Sequence, residues 1–256
     1  MAYSKEYDSF KTNDGQEIFL YRALDSNGQW SNKYDKHPIF CPECGVAELK
    51  FTSKTSNHCA FLSTMPIPPN PEHAEDCSHR YRTIGKQGAK EFYNVCTREQ
   101  AMDKINACIN LLKRRNFLMA RGDDEATPHR PRLTFQRTRN GNIETRRLRT
   151  RSFYSIYRLD DDDLGFPIVL YGKVYLSVQE LKSKQGNSFN VLKVMSVYRD
   201  RRLLQSIYLG STTIDVEEEH IYLFSMVGIP EKYNNYINVH FYNRDYTLYG
   251  IEEPDN

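Results

Sequence analysis

From residue 166 to residue 251 apolar and polar side chains alternate, and turn-forming residues interrupt the alternation at short intervals. The pattern predicts strands at Ile168–Val178, Phe189–Arg199, Leu203–Leu209, His220–Val227 and Tyr236–Tyr242, with a return at Tyr246–Ile251 and turns at 184–188 and 243–245. Only one stretch changes clearly to a helical period. Met102, Ile105, Cys108, Ile109 and Leu112 recur at helical spacing behind Thr97-Arg98-Glu99-Gln100, which has the capping-box arrangement, and Lys113, Arg114 and Arg115 suit the C-terminal end of the helix dipole. One long helix is therefore expected, with Cys108 on its buried face. In the first forty residues Ile18–Tyr21 ahead of Ser26-Asn27-Gly28 reads as short strands, and Glu48–Phe51 reads as a strand returning from the segment 40–45.

Between the helix and the last third, two further alternating segments, 133–139 and 143–149, flank Asn140-Gly141, the dipeptide that best supplies the positive φ angles of a two-residue turn. A β-hairpin is expected, with Arg137 and Arg139 on one face of its first strand and Arg147, Arg149 and Arg151 on one face along its second; Arg146 lies between them. Charge singles out this region. Residues 126–159 carry nine arginines against Glu144 alone, whereas residues 1–125 balance at 17 basic and 17 acidic, and residues 160–256 hold 9 basic and 15 acidic. Like charges on paired strands repel unless an anion lies across them. Arginine without lysine favours planar, bidentate recognition of phosphate or carboxylate. The other readings are a basic linker, or a hairpin that pairs with the acidic C-terminal region.

The candidate chemistry lies earlier. In Phe40-Cys41-Pro42-Glu43-Cys44-Gly45 the proline stiffens a turn, the glycine permits its tight backbone, and two thiolates can face one point. The nearest suitable second pair is His73 and Cys77, beyond a loop, 65–71, whose four prolines fix the approach. Cys41, Cys44, His73 and Cys77 are the preferred zinc ligands, with His58, Cys59 and His79 as alternates. Four protein ligands close the coordination sphere, so the expected zinc is structural and not catalytic. Buried cysteines and surface histidines are the bland reading. Four of the six cysteines fall within 41–77, and reduced thiols suit that grouping better than disulfides.

Alternation also puts Ile168, Leu170, Val174, Leu176 and Val178 on one face of the first C-terminal strand and Tyr171, Lys173 and Tyr175 on the other. Such an aromatic–basic–aromatic face can stack bases and reach a phosphate backbone; it can equally be an interface for another protein or a second copy. Five or so strands in about ninety residues, with a glycine early in the first, resemble an OB-fold, and that resemblance implies a small barrel that binds single-stranded nucleic acid. The Cys-Pro-x-Cys knuckle resembles the zinc-finger front end of CoiA-like competence proteins, in which a nuclease-like domain follows. For a nuclease, Asp35 or Asp160–Asp163 could supply acids, alongside the Glu48/Lys50 and Glu180/Lys182 pairs. No phosphate-cradling glycine loop, Gly-x-Ser-x-Gly elbow or His-Glu-x-x-His pair is present.

No apolar run is long enough to span a bilayer and residues 1–8 contain no signal-peptide core, so a cytoplasmic protein without a membrane partner is expected. The expected fold class is α+β: a zinc-bound domain over 1–125 with one long helix, an arginine-rich hairpin over 126–159, and an all-β OB-like barrel over 160–256. The expected role is non-catalytic nucleic-acid binding, single strands favoured, with Arg137, Arg139, Arg146, Arg147, Arg149 and Arg151 on phosphates and Tyr171, Lys173 and Tyr175 as platform. A protein-interaction adaptor or inhibitor is the first alternative and a metal-dependent nuclease the second.

Overall fold

The computed structural model describes residues 7–251 apart from 26, 28, 32–33, 35–36, 56–59, 66–72, 76, 118–132, 140–141, 160, 199–200 and 235; at 114–117, 139, 158 and 162 it describes the backbone alone. The chain forms two compact units, Met1–Ile84 with Phe117–Arg149 and Gly85–Asn116 with Thr150–Asn256. No helix among the described residues is long and apolar enough to cross a membrane.

In the first unit, strands β1 (Ser9–Lys11), β2 (Glu17–Phe19), β3 (Ile39–Phe40), β4 (Glu48–Thr52) and β5 (Phe61–Thr64) form an antiparallel sheet in the order β2-β1-β3-β4-β5. The alternation is visible in β4, where Leu49 is buried and its neighbour Lys50 is exposed. Phe10, Ile18, Leu20, Ile39, Leu49 and Leu62 make the core, with Trp30 packed on Phe10 at 5.3 Å and on Phe51 at 4.4 Å between ring centres. Strands this short enclose few apolar side chains, the condition in which small folds are stapled by a metal or disulfides. Strands β6 (Thr134–Arg139) and β7 (Asn142–Arg147) form the expected hairpin. Its Asn140-Gly141 turn lies outside the described residues, but Arg139 pairs with Asn142, which leaves two residues to make the connection. The base of the hairpin is held by Ile84 N–H to Arg147 O (2.9 Å), Arg147 N–H to Arg82 O (3.0 Å) and Leu148 N–H to Leu133 O (2.8 Å).

The second unit opens with α1 (Lys86–Val95) and α2 (Arg98–Phe117). The capping box of α2 is made in both directions: Gln100 N–H donates to Thr97 Oγ1 at 3.2 Å and Thr97 N–H to Gln100 Oε1 at 3.1 Å. Thr97→Ala should therefore lower stability by about 1 kcal/mol, read as a shift in the urea midpoint without a change in slope. Ile105, Cys108, Ile109 and Leu112 are buried as their spacing requires. The helix belongs to the unit that holds the C-terminal sheet, and not to a zinc domain ending at residue 125 as its place in the sequence suggests. An apolar stripe fixes which side of a helix is buried and not which core it meets.

The remaining strands are β8 (Thr150–Ser152), β9 (Ile168–Lys182), β10 (Ser188–Ser196), β11 (Leu203–Gly210), β12 (Ile221–Tyr233), β13 (Tyr236–Phe241) and β14 (Thr247–Ile251). They form one sheet in the order β11-β10-β9-β12-β13, with β14 against β12 and β8 parallel to β9. Strand β9 is shared along its length: residues 168–175 pair with β12 and residues 174–182 with β10. The sheet curls about this strand into a half-barrel, and Gln205 Nε2 of β11 donates to the Ile237 carbonyl of β13 at 3.0 Å. Successive antiparallel pairings make β11 and β13 run in the same direction. Leu170, Val174, Leu176, Leu192, Val194, Ile207 and Val239 fill the interior. It is tight at Gly228, where a Cβ would lie 2.8 Å from Val239 Cγ1.

The outward face expected on β9 is corrected here. Tyr171 is buried, as are Val169, Leu223, Ser225 and Val227 on the same side of β9 and β12, whereas the pairing sets Tyr222, Phe224 and Met226 beside Val174, Gly172 and Leu170 on the interior side. Phe153 stacks on Phe224 with ring centres 5.1 Å apart. A strand buried on both faces has no polar side, and Tyr171 keeps its place in the alternation while losing its exposure.

Candidate metal centre and nucleic-acid interface

The knuckle sits at the turn between β3 and β4. Cys41 N–H donates to Ala47 O and Gly45 N–H to Cys41 O, each at 2.8 Å, and Gly45 has φ +68°, a conformation that strains any residue with a Cβ. This fold of the backbone turns the two thiols toward the second pair, carried by the segment after β5. Cys41, Cys44, His73 and Cys77 bring one donor atom each into a group whose members all lie within 4.8 Å of one another. Cys41 Sγ is 3.8 Å from Cys77 Sγ, and His73 Nδ1 is 3.6 Å from Cys44 Sγ and 3.4 Å from Cys77 Sγ. A tetrahedral ion with bonds of about 2.3 Å to sulfur and about 2.0 Å to nitrogen sets sulfurs about 3.8 Å apart and sulfur and nitrogen about 3.5 Å apart. The four donors thus already stand at coordination distances, and this cluster can bind a metal ion.

The surroundings orient the ligands. With Nδ1 turned to the sulfurs, His73 Nε2 meets Tyr7 Oη at 3.0 Å and Thr64 Oγ1 at 3.4 Å, and those two hydroxyls are 2.8 Å apart. Such a partner on the far nitrogen fixes ring and tautomer. Burial pushes the Cys41 thiol up to about 12. Cys77 is also raised, first through its hydrogen bonds with Cys41 and Cys44, whereas the same two thiols hold Cys44 well below the usual range by donating to it. Three thiolates this close repel one another unless a cation lies among them.

Of the alternates, His58 and Cys59 lie outside the described residues. His79 does not join the cluster. Its ring stacks on Tyr7 at 4.4 Å, and its Nε2 accepts from Arg147 Nη2 at 3.3 Å. Cys96 and Cys108 lie in the other unit, Cys108 buried in α2. Glu43, the variable residue of Cys-Pro-x-Cys, gave no signal in the sequence and yet holds the two ligand pairs together: its carboxylate accepts from Ser78 N–H at 2.8 Å and Ser78 Oγ–H at 2.5 Å.

The arginines separate into three kinds. Arg137 and Arg146 share a face of the hairpin, where Nε and Nη2 of each donate to Glu144 Oε2 at 2.9–3.3 Å, and Arg146, then Arg137, holds that carboxyl below the usual carboxylate range. Arg147, on the opposite face, is 3% exposed, with Nε donating to Ser78 Oγ at 3.0 Å. Arg151 is buried in the second unit and forms a bidentate ion pair with Asp163 at 3.1–3.3 Å. Arg149 is half-buried, and the Arg139 side chain lies outside the described residues. The expected row of Arg147, Arg149 and Arg151 is therefore not a common exposed face. The hairpin ends at Arg147, and an arginine run carries no mark of which members will be drawn inside by an acceptor elsewhere in the chain.

The expected platform also divides. Tyr171 is buried, while Lys173 and Tyr175 are half-buried, with the Arg201 guanidinium 4.3 Å from the centre of the Tyr175 ring. Tyr175 lies further along the same side of the strand, where that side becomes the outer face of β9, β10 and β11. The pairing there sets Tyr175 beside Met195 and Leu203, Ser177 beside Lys193 and Ser206, Gln179 beside Val191 and Tyr208, and Leu181 beside Phe189. Tyr208 is 55% exposed and packs on Phe189 at 5.5 Å, and Lys193 Nζ donates to Ser206 Oγ at 3.2 Å. Tyr233 and Tyr236, exposed at the β12–β13 turn, add two more rings. Residues 166–210 carry seven basic against two acidic side chains, so the acidity of the C-terminal region lies outside these three strands.

No protein-family model matches the chain, and comparison with curated proteins and with solved structures returns no match.

Proposed function

We propose that this chain is a zinc-stapled, non-catalytic nucleic-acid-binding protein whose half-barrel takes a single strand on the outer face of β9, β10 and β11. The observation that carries the reading is the strand order. Numbered from β9 to β13, the half-barrel runs 3-2-1-4-5 with strands three and five side by side and parallel, which is the connectivity of an OB-fold. OB-folds bind oligonucleotides on the face of strands two and three and on the loops between strands one and two and between four and five. In this chain those elements carry Phe189, Lys193, Tyr208, Tyr233 and Tyr236. Rings stack on bases of any sequence while Lys193 and Arg201 meet the backbone. The half-buried hairpin arginines Arg137 and Arg146 supply a second electrostatic contact, independent of sequence.

Zinc is the metal that best suits three cysteines and one histidine at tetrahedral spacing, and four protein ligands leave no position for water or substrate. Its role is to complete the small core of the first unit. For the nuclease alternative, Asp163 is already committed to Arg151, and among the described residues the Cys41/Cys44/His73/Cys77 cluster is the one group placed to hold a metal.

Titration of labelled single- and double-stranded DNA and RNA at two salt concentrations tests the reading. Single strands should bind more tightly than duplex, with an affinity that falls as salt rises. Tyr208→Ala should cost about 1–3 kcal/mol on single strands and leave the salt slope nearly unchanged. Arg137→Ala with Arg146→Ala should weaken every sequence and flatten the slope by up to about one unit per lost contact. Negligible binding at low salt, together with a stable self- or hetero-complex, would contradict the reading and favour the adaptor, to which an aromatic face is also suited.

A further inference from the structure

The metal ligands have neighbours in the chain that reach the basic hairpin. Glu43 precedes the ligand Cys44, and Ser78 and His79 follow the ligand Cys77. Ser78 donates its N–H and hydroxyl to the Glu43 carboxylate, and its hydroxyl oxygen accepts from Arg147 Nε at 3.0 Å; His79 Nε2 accepts from Arg147 Nη2 at 3.3 Å and stands 3.8 Å from Glu43 Oε2. Arg147 is the last residue of β7, and its backbone is bonded on both sides to residues 82 and 84. The base of the hairpin is thus fastened to the segment that directly follows the second pair of ligands.

From this geometry we infer that the metal centre is also the anchor of the arginine hairpin, through the relay Glu43–Ser78–Arg147, so that metal occupancy sets the order of residues 134–147. A buried guanidinium needs an anion or acceptors that stay in place. Glu43 and Ser78 stay in place only while knuckle and second pair are drawn to one point, and the ion draws them. Without it, Cys44 and Cys77 separate and carry Glu43 away from Ser78. Arg147 then loses the fixed acceptor at the root of β7, and with it the pairing that sets Arg137 and Arg146 on one face of the hairpin is lost. The hairpin becomes a metal-dependent element. The inference rests on the metal reading of the cluster and adds that Arg147 is a positioning residue, not a phosphate contact.

The test is amide hydrogen exchange of the full chain, metal-loaded and chelated, with metal content measured on the same samples. Chelation should speed exchange across 134–147 by about tenfold or more, the scale expected when a buried hydrogen-bonded charge loses its partners. In metal-loaded protein Arg147→Met should give the same local acceleration while retaining one metal ion per chain. Ser78→Ala, a milder change that removes the relay hydroxyl, should do so to a lesser degree, and Arg137→Ala should not. Stoichiometric metal with exchange at 134–147 unaltered by both Arg147→Met and Ser78→Ala overturns the anchoring alone, and exchange there indifferent to chelation overturns it together with the structural role of the metal. A chain that binds no metal overturns the anchoring and the metal reading together.

Discussion

Stripping the metal with a strong chelator is expected to unfold the unit formed by Met1–Ile84 and Phe117–Arg149 and to leave the half-barrel of β9–β14 folded. The short strands of the first unit bury a small core, and a structural zinc can contribute on the order of 10 kcal/mol to folding, comparable to the whole stability of an ordinary domain. Cys41→Ser and Cys77→Ser should reproduce the loss, since both sulfurs are buried and a serine hydroxyl is a poor substitute for a thiolate. Cys96→Ser, Cys108→Ser and His79→Ala should retain one metal ion per chain. Circular dichroism and metal analysis on the same preparations check this. A metal-free protein whose first unit remains folded would contradict it.

The second large effect is expected at Asp163. Its carboxylate and the Arg151 guanidinium are almost completely enclosed, with side-chain exposures of 4% and 6%. Asp163→Ala leaves a buried cation without its bidentate partner and should destabilise the half-barrel unit by about 3–5 kcal/mol. The double change Arg151→Met with Asp163→Leu should recover most of that, because removal of both charges leaves neither unpaired. Denaturant titration of the three proteins reads the difference. A loss below about 1 kcal/mol in Asp163→Ala would show that water reaches the pair.

The sequence announced most elements by local chemistry. The strands from β9 to β14 follow from period-two alternation and turn residues, α2 from its capping box, and the β6–β7 hairpin from Asn-Gly between two alternating runs. The preferred metal set is the one the structure brings together, because cysteine pairs at knuckle spacing have few other uses in a reduced protein. What remained hidden was set by contacts distant in sequence. Helix α1 is short and opens at Gly85 without a side-chain cap, so no N-terminal signal marks it. Burial of Tyr171 with Leu223, Ser225 and Val227 beside it turned the start of an expected stacking face into core, and an exposed ring of the sheet lies instead at Tyr208 on β11. Arg147 and Arg151 look like any other arginine in the run; only the positions of Ser78 and Asp163 in space show that they are interior.

Photocrosslinking of the metal-loaded protein to a single-stranded oligonucleotide, followed by identification of the modified peptides, tests the central claim most directly. Crosslinks are expected in the peptides that carry Tyr175, Phe189 and Tyr208 and at the Tyr233–Tyr236 turn, and they should decline as salt is raised. An oligonucleotide that fails to crosslink, or that crosslinks only outside β9–β13, would contradict the assignment of the half-barrel face to nucleic acid.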